Sequence, residues 1–231
     1  MNNLSRLLQE IKDNPVMYID KPSITCLHSF LNGYLDAPIY LGLDREISGF
    51  EGFQDWIQER AKTQVCQSWS GIIIFGCGSE RSAFYRFFEL FEEFIKLKDI
   101  SKIQECKEKY SATENNSRFS DFDIYDEILK GIKKRPGMFL GTSSITKLDM
   151  LLRGYSLGRR EVGVPPTKPE SEFSGFQSWI EEKYGIKTGQ SWSKIILFYS
   201  IDEHEALQRF FELYEEYLNR NNHSEVDEKS G

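Results

Sequence analysis

Apolar residues near the start of the chain recur at three- and four-residue intervals. Leu4, Leu7, Leu8 and Ile11 place one face of a helix in a core. Asn14-Pro15 ends that helix, because proline disfavours helix in the residue before it. Met17-Tyr18-Ile19 reads as a short extended element. Ser23 then suits an N-cap, its hydroxyl accepting from an orphan amide of the next turn. The helix it opens buries Ile24, Leu27, Phe30, Leu31 and Tyr34. Gly33 falls near its end, either as a left-handed cap or as a point of close helix approach. Leu35 to Glu51 reads as an irregular loop. Phe53, Trp56 and Ile57 mark a short amphipathic helix. Trp69, Ile72, Ile73 and Gly76 continue the helical spacing, although the β-branched run Ile72-Ile73-Ile74 also suits a buried strand. Helix is favoured there because neither half of the chain offers a second strand to pair with it. Ala83, Phe84, Phe87, Phe88, Phe91, Phe94 and Ile95 form a broad apolar stripe behind a Ser79 cap.

The same pattern returns. Gln67 to Phe94 reads QSWSGIIIFGCGSERSAFYRFFELFEEF, and Gln190 to Tyr217 reads QSWSKIILFYSIDEHEALQRFFELYEEY. Residues 52–96 and 175–219 are identical at 22 of 45 positions, and residues 4–35 and 125–156 at 12 of 32. The offset is 121 in the earlier segment and 123 in the later one, because the connection from Ser156 to Ser174 is two residues longer. It also carries Pro165, Pro166 and Pro169. An internal repeat at this spacing outranks any single motif as a guide to architecture. The expected fold is mainly α, with two tandem repeats of a helical unit of about ninety residues and room for one short buried strand in each. Residues 1–97 form the first unit, 98–124 a linker that begins helical, 125–219 the second unit and 220–231 a polar tail expected to be disordered. Self-compatible copies of this kind favour a pseudo-symmetric pair or a homo-oligomer.

Charge narrows the partners. The formal net charge is −7, which disfavours non-specific attraction to nucleic acid or to anionic membranes. Residues 1–97 carry −4 and residues 125–218 carry −1, so the first half is the more acidic surface. The start of the chain lacks the charged-then-apolar pattern of a secretory leader, and no apolar run has the length of a membrane span. Cys26, Cys66, Cys77 and Cys106 have no cysteine counterparts in the second half, so no repeated disulfide or metal site is expected. Free thiols in the cytoplasm are the plain reading.

Catalytic chemistry is sparse. Cys26 and His28 could pair as nucleophile and base, but residues two apart on a helix do not face each other, and the second copy has Lys147 and Asp149 there. His204 and His223 lack ligands at metal spacing. Glu89, Glu92 and Glu93, echoed by Glu212, Glu215 and Glu216, fall on the solvated helix face, where Arg86 and Arg209 can pair with Glu89 and Glu212. The basic residues from Lys130 to Arg160 lack the aromatic interleaving of a nucleic-acid surface. No enzyme, no cofactor and no metal are expected.

Two resemblances remain. Ile132 to Gly141, IKKRPGMFLG, resembles the RPGMYIG segment of gyrase B-type ATPase domains. The helix with its Glu and Asn and the DxGxG loop of that family do not follow, so the segment reads as a shared turn. Across both copies the order is Pro-x-Met-aromatic, Ser-Ile-Thr-x-x-Leu, Gly-Tyr, Gly-Phe-x-x-Trp-Ile, Ser-Trp-x-x-Ile and the Phe-Phe-Glu-Leu helix. That order resembles the immunity proteins encoded beside polymorphic or contact-dependent toxins in bacteria. The resemblance implies a non-enzymatic cytoplasmic protein that binds and neutralises a cognate protein toxin. Charge complementarity to a basic toxin would place contacts at Asp36, Asp44, Glu46 and Glu51 in the first loop and at Glu170 and Glu172 in the second. A self-associating scaffold without a toxin partner, or an enzyme with a pocket between the repeats, is the alternative.

Overall fold

The structure is a computed structural model that describes residues 3–40, 49–105 and 124–227, with the side chains of 99–105, 126 and 221–227 left undescribed. The expected contacts Asp44 and Glu46 lie outside the described residues, as does Cys106. The first half comprises α1 (Asn3–Asp13), α2 (Val16–Ile19), α3 (Ile24–Tyr40), α4 (Phe53–Arg60), α5 (Trp69–Cys77) and α6 (Glu80–Glu105). A π-helical turn at Ile124–Ile128 leads into α7 (Leu129–Lys134). Then come α8 (Pro136–Leu140), α9 (Ile145–Glu161), α10 (Lys168–Phe173), α11 (Phe176–Tyr184), α12 (Trp192–Phe198) and α13 (Glu203–Asp227). No strand occurs among the described residues. The Ile-rich run is helical because Ser68 caps it, its hydroxyl accepting from the Gly71 amide at 3.2 Å, while Trp69 and Ile73 turn inward.

Four other expectations need correction. Met17-Tyr18-Ile19 and Met138-Phe139-Leu140 are single helical turns, not extended segments. Each begins at a proline, whose fixed φ and missing N–H suit the start of a helix. The helix α3 runs on to Tyr40 through Pro38 where a loop is expected. Likewise α9 continues to Glu161, and Thr167 caps a separate α10. In the acidic stripe, Arg86 pairs with Glu89 at 2.5 Å as expected, but Arg209 turns back to Glu205 at 3.0 Å. Finally, α13 extends to Asp227, beyond the expected end of the second unit; residues 228–231 lie outside the described residues.

The long helices α3 and α9 run side by side and parallel at the centre. Gly33 faces Leu151 and Tyr155, Gly154 faces Phe30 and Tyr34, and Gly158 faces Tyr34 and Ala37, in the same order along both helices. A Cβ on Gly33 would lie 2.0 Å from the Leu151 carbonyl oxygen, and one on Gly154 would lie 1.9 Å from that of Phe30. These two glycines are therefore contact points between backbones, not helix ends. The Tyr34 carbonyl, whose intrahelical donor is removed by Pro38, lies against Gly158.

On either side of the central pair sits an apolar core. One gathers Leu7, Ile11, Phe30, Phe53, Trp69 and Phe87, and the other Ile132, Leu151, Phe176, Trp192 and Phe210. The cores interlock, since Met150 packs into the first and Ala37 into the second. Matching hydrogen bonds recur in both. The Gln54 side chain accepts from Trp69 N at 2.6 Å and donates to Gln67 O at 3.0 Å, and Gln177 does the same for Trp192 and Gln190.

Candidate functional site: two clefts at the helix crossing

The N-terminal ends of α3 and α9 lie together, and each is closed by a glutamate from the long helix of its own half. Glu80 accepts from Ser23 Oγ at 2.7 Å, Thr25 N at 3.0 Å and Thr25 Oγ1 at 2.6 Å. Glu203 accepts from Ser144 Oγ at 2.8 Å, Thr146 N at 3.0 Å and Thr146 Oγ1 at 2.6 Å. Burial opposes ionisation of Glu80, but the bonds from Thr25 and Ser23 outweigh it and hold its pKa below the ordinary carboxylate value. A carboxylate here also complements the positive end of the helix dipole.

Beside this junction are two clefts of nearly equal size, about 480 and 490 Å³. Each is walled by residues of both halves. The first lies between α3 and α5 of the first half and the α8 turn of the second, and contains His28, Asn32, Ser68, Ser70, Met138 and Lys147. The other lies between α9 and the start of α12, with Met17 and Tyr18 of α2 on its rim.

Their polar chemistry differs. In the second cleft Asp149, 2 % exposed, accepts from Arg153 Nε and Nη2 at 2.9 Å each and from Ser193 Oγ at 2.5 Å. Arg153 reaches across to Asp20 at 3.0 Å, and Lys194 meets the same carboxylate at 3.1 Å. Burial works against the Arg153 charge, but Asp149 and Asp20 more than compensate and raise its pKa. At the registers of Asp20, Asp149, Arg153 and Lys194, the other copy has Gly141, His28, Asn32 and Gly71. All four charged members of the network are thus uncharged in the first cleft.

His28 packs edge-on against Trp69, with ring centroids 5.0 Å apart. Burial, with a smaller contribution from the Lys147 charge, pushes its pKa down to about 4, so the ring is neutral at pH 7. Cys26 points into the core instead, and burial raises its thiol pKa. The pair does not form a nucleophile and base. Neither is any serine of the clefts hydrogen-bonded to a histidine among the described residues: Ser70 bonds Ser68 at 2.8 Å and Ser193 bonds Asp149. Lys147, in the register of Cys26, donates to the Leu140 carbonyl at 3.0 Å. Burial lowers its pKa, against the pull of Glu80 and Glu203. No cluster with the makings of a metal site occurs among the described residues.

Four of the acidic residues expected to meet a partner are among the described residues. Asp36 sits half-buried on α3, inside a helix rather than a loop. Glu51 is exposed and 3.6 Å from Lys98. Glu170 turns inward, its carboxylate 12 % exposed and 3.7 Å from the buried Arg159. Glu172 pairs with Lys168 at 3.5 Å. The clefts were missed because their walls come from distant segments. The available signal was the set of matched registers at which one copy is charged and the other is not.

Comparison with protein-family models, curated proteins and solved structures finds no match. No helix is long and apolar enough to cross a membrane among the described residues.

Proposed function

We propose that the chain is a non-enzymatic binding protein that neutralises a cognate bacterial toxin by direct contact. The observation that carries the binding role is matched exposure of large apolar side chains. Phe75 and Phe198 hold equivalent registers at the ends of α5 and α12 and are 93 % and 78 % exposed. Met17 and Met138, also equivalent, are 76 % and 74 % exposed. Core packing requires none of these four, and contiguous exposed apolar patches mark interaction surfaces. On one side the patch is continuous, because Gln67, Gly71 and Ile74 line both the cleft beneath Met138 and the apolar groove beside Val65 and Phe75.

The matching hydrogen bonds and the sequence repeat support a duplicated unit that presents this surface twice. The toxin as partner rests on the resemblance to immunity proteins and on the net charge of −7, which suits a basic target. Co-expression with the product of the neighbouring gene in a sensitive cell tests the reading. Rescue of growth is expected, with Phe75→Ser and Phe198→Ser together weakening rescue while the protein stays folded. A complex whose affinity is unchanged from low to high salt would remove the electrostatic argument. Failure of rescue, with homo-oligomers alone in solution, would leave a self-associating scaffold in its place.

A further inference from the structure

The two clefts share a framework and differ in their ions. In one, the Asp149 carboxylate on the lining meets the Arg153 cation, which also reaches Asp20 beyond it. In the other, the Lys147 ammonium is the sole formal charge among the described lining residues; it donates to the Leu140 carbonyl and has no ion-pair partner among the described residues. Glu80 and Glu203 lie behind Lys147, but their oxygens are committed to the helix ends through Ser23, Thr25, Ser144 and Thr146. Asn32 and His28 make no side-chain hydrogen bond among the described residues, whereas their counterparts Arg153 and Asp149 bond each other. The start of α5 adds its partial positive charge to the same wall. The apolar part of the lining comes from Ile74, further along α5, and from Met138 and Phe139 of the α8 turn.

We propose that the His28 cleft is a binding site for a small organic carboxylate, its anionic end held by Lys147, Asn32 and His28 and its apolar body laid against Ile74, Met138 and Phe139. A single cation with neutral donors suits a monoanion better than a phosphate dianion. An apolar wall with a few convergent polar groups is the usual make-up of a small-molecule site. One ion pair and two hydrogen bonds in a partly open cleft correspond to an affinity near the millimolar range. The proposal stands apart from the toxin reading and involves no covalent step.

The test uses the full chain and sodium benzoate, with benzyl alcohol as the uncharged isostere and sodium chloride at matched ionic strength. The imidazole signals of His28 are followed by NMR, assigned by their loss in His28→Asn. Benzoate is expected to shift the His28 signals saturably and to leave those of His204 in place, while benzyl alcohol and chloride have at most a small linear effect. Lys147→Met should weaken benzoate at least fivefold. The pair His28→Asp with Asn32→Arg installs the ions of the other cleft and should abolish binding, read by calorimetry, with the unfolding midpoint showing that the chain is folded. Absence of saturation, an equal response to benzyl alcohol, or unchanged affinity in Lys147→Met would overturn the proposal. The Lys147→Met arm decides the matter even where the double variant fails to fold.

Discussion

Gly33→Ala tests whether the central helix pair is held by backbone contact. The new Cβ would lie 2.0 Å from the Leu151 carbonyl oxygen and 2.9 Å from Tyr155 N, against roughly 3.4 Å for an ordinary contact. Both obstacles are main chain inside a helix, so no rotamer change relieves them. The helices must separate locally by about 1.4 Å, the difference between those distances. A gap of 0.5–1 Å already forfeits about a quarter to a half of each dispersion contact, and overpacking in cores costs roughly 1–3 kcal/mol. Alanine's better helix propensity returns up to about 1 kcal/mol. A net loss on the order of 2 kcal/mol follows, with Gly154→Ala behaving alike. Urea unfolding followed by tryptophan fluorescence measures it. Gly76→Ala is the internal control: it is helical, exposed and meets nothing within 4 Å, so propensity alone should act and stability should rise by up to about 1 kcal/mol. If Gly33→Ala also gains stability, the contact geometry described above is wrong.

Glu80→Ala should cost about 1–3 kcal/mol, because it removes three hydrogen bonds to an anionic acceptor at a helix start. The depressed Glu80 pKa places its stabilisation above the ordinary carboxylate range, to be lost as pH falls through the folded value; acid titration of Glu80→Gln should show a shallower decline there. His28 has the same sign by a different route. Its folded pKa of about 4 lies below the unfolded value near 6.5, so stability is full above about pH 6.5 and falls towards pH 4. His28→Asn should flatten that window by on the order of 2 kcal/mol in pH-dependent urea melts. Arg153→Ala leaves the Asp149 carboxylate buried without its cation and should cost about 3–5 kcal/mol, whereas adding Asp149→His to Arg153→Asn, the residues of the other copy, should recover most of the loss in a thermal melt.

Periodicity made the long helices and their buried faces legible, since Leu4, Phe30, Phe87 and Phe210 all lie where their spacing puts them. Periodicity could not resolve α2, α8 or α10, which are four to six residues long and complete less than two helical turns. Pro38 lies inside α3, although a proline normally breaks a helix. Here the carbonyl it frees lies at the crossing with Gly158, in a contact that only the folded pair supplies. Glycine spacing allowed close approach at Gly33 and Gly154 but could not say which helix would approach. Glu170 is acidic in sequence and inward-facing in the fold, because Arg159, eleven residues earlier, is buried beneath it. The cleft network joins Asp20, Asp149, Arg153 and Lys194 from three segments, and no local pattern connects them.

Because each cleft borrows a wall from the opposite half, the position of both halves on a single polypeptide has a consequence for variation. In a symmetric dimer of identical subunits, every substitution appears in both clefts at once, so a residue that locks one must lock the other. A continuous chain is free of that constraint. Asp149 and Arg153 can serve as a permanent internal strut on one side while His28 and Asn32, at the matched positions on the other, make no side-chain hydrogen bond among the described residues. Rigidity and receptivity, which would compete within one repeated surface, can thereby be divided between separate sides of the same molecule.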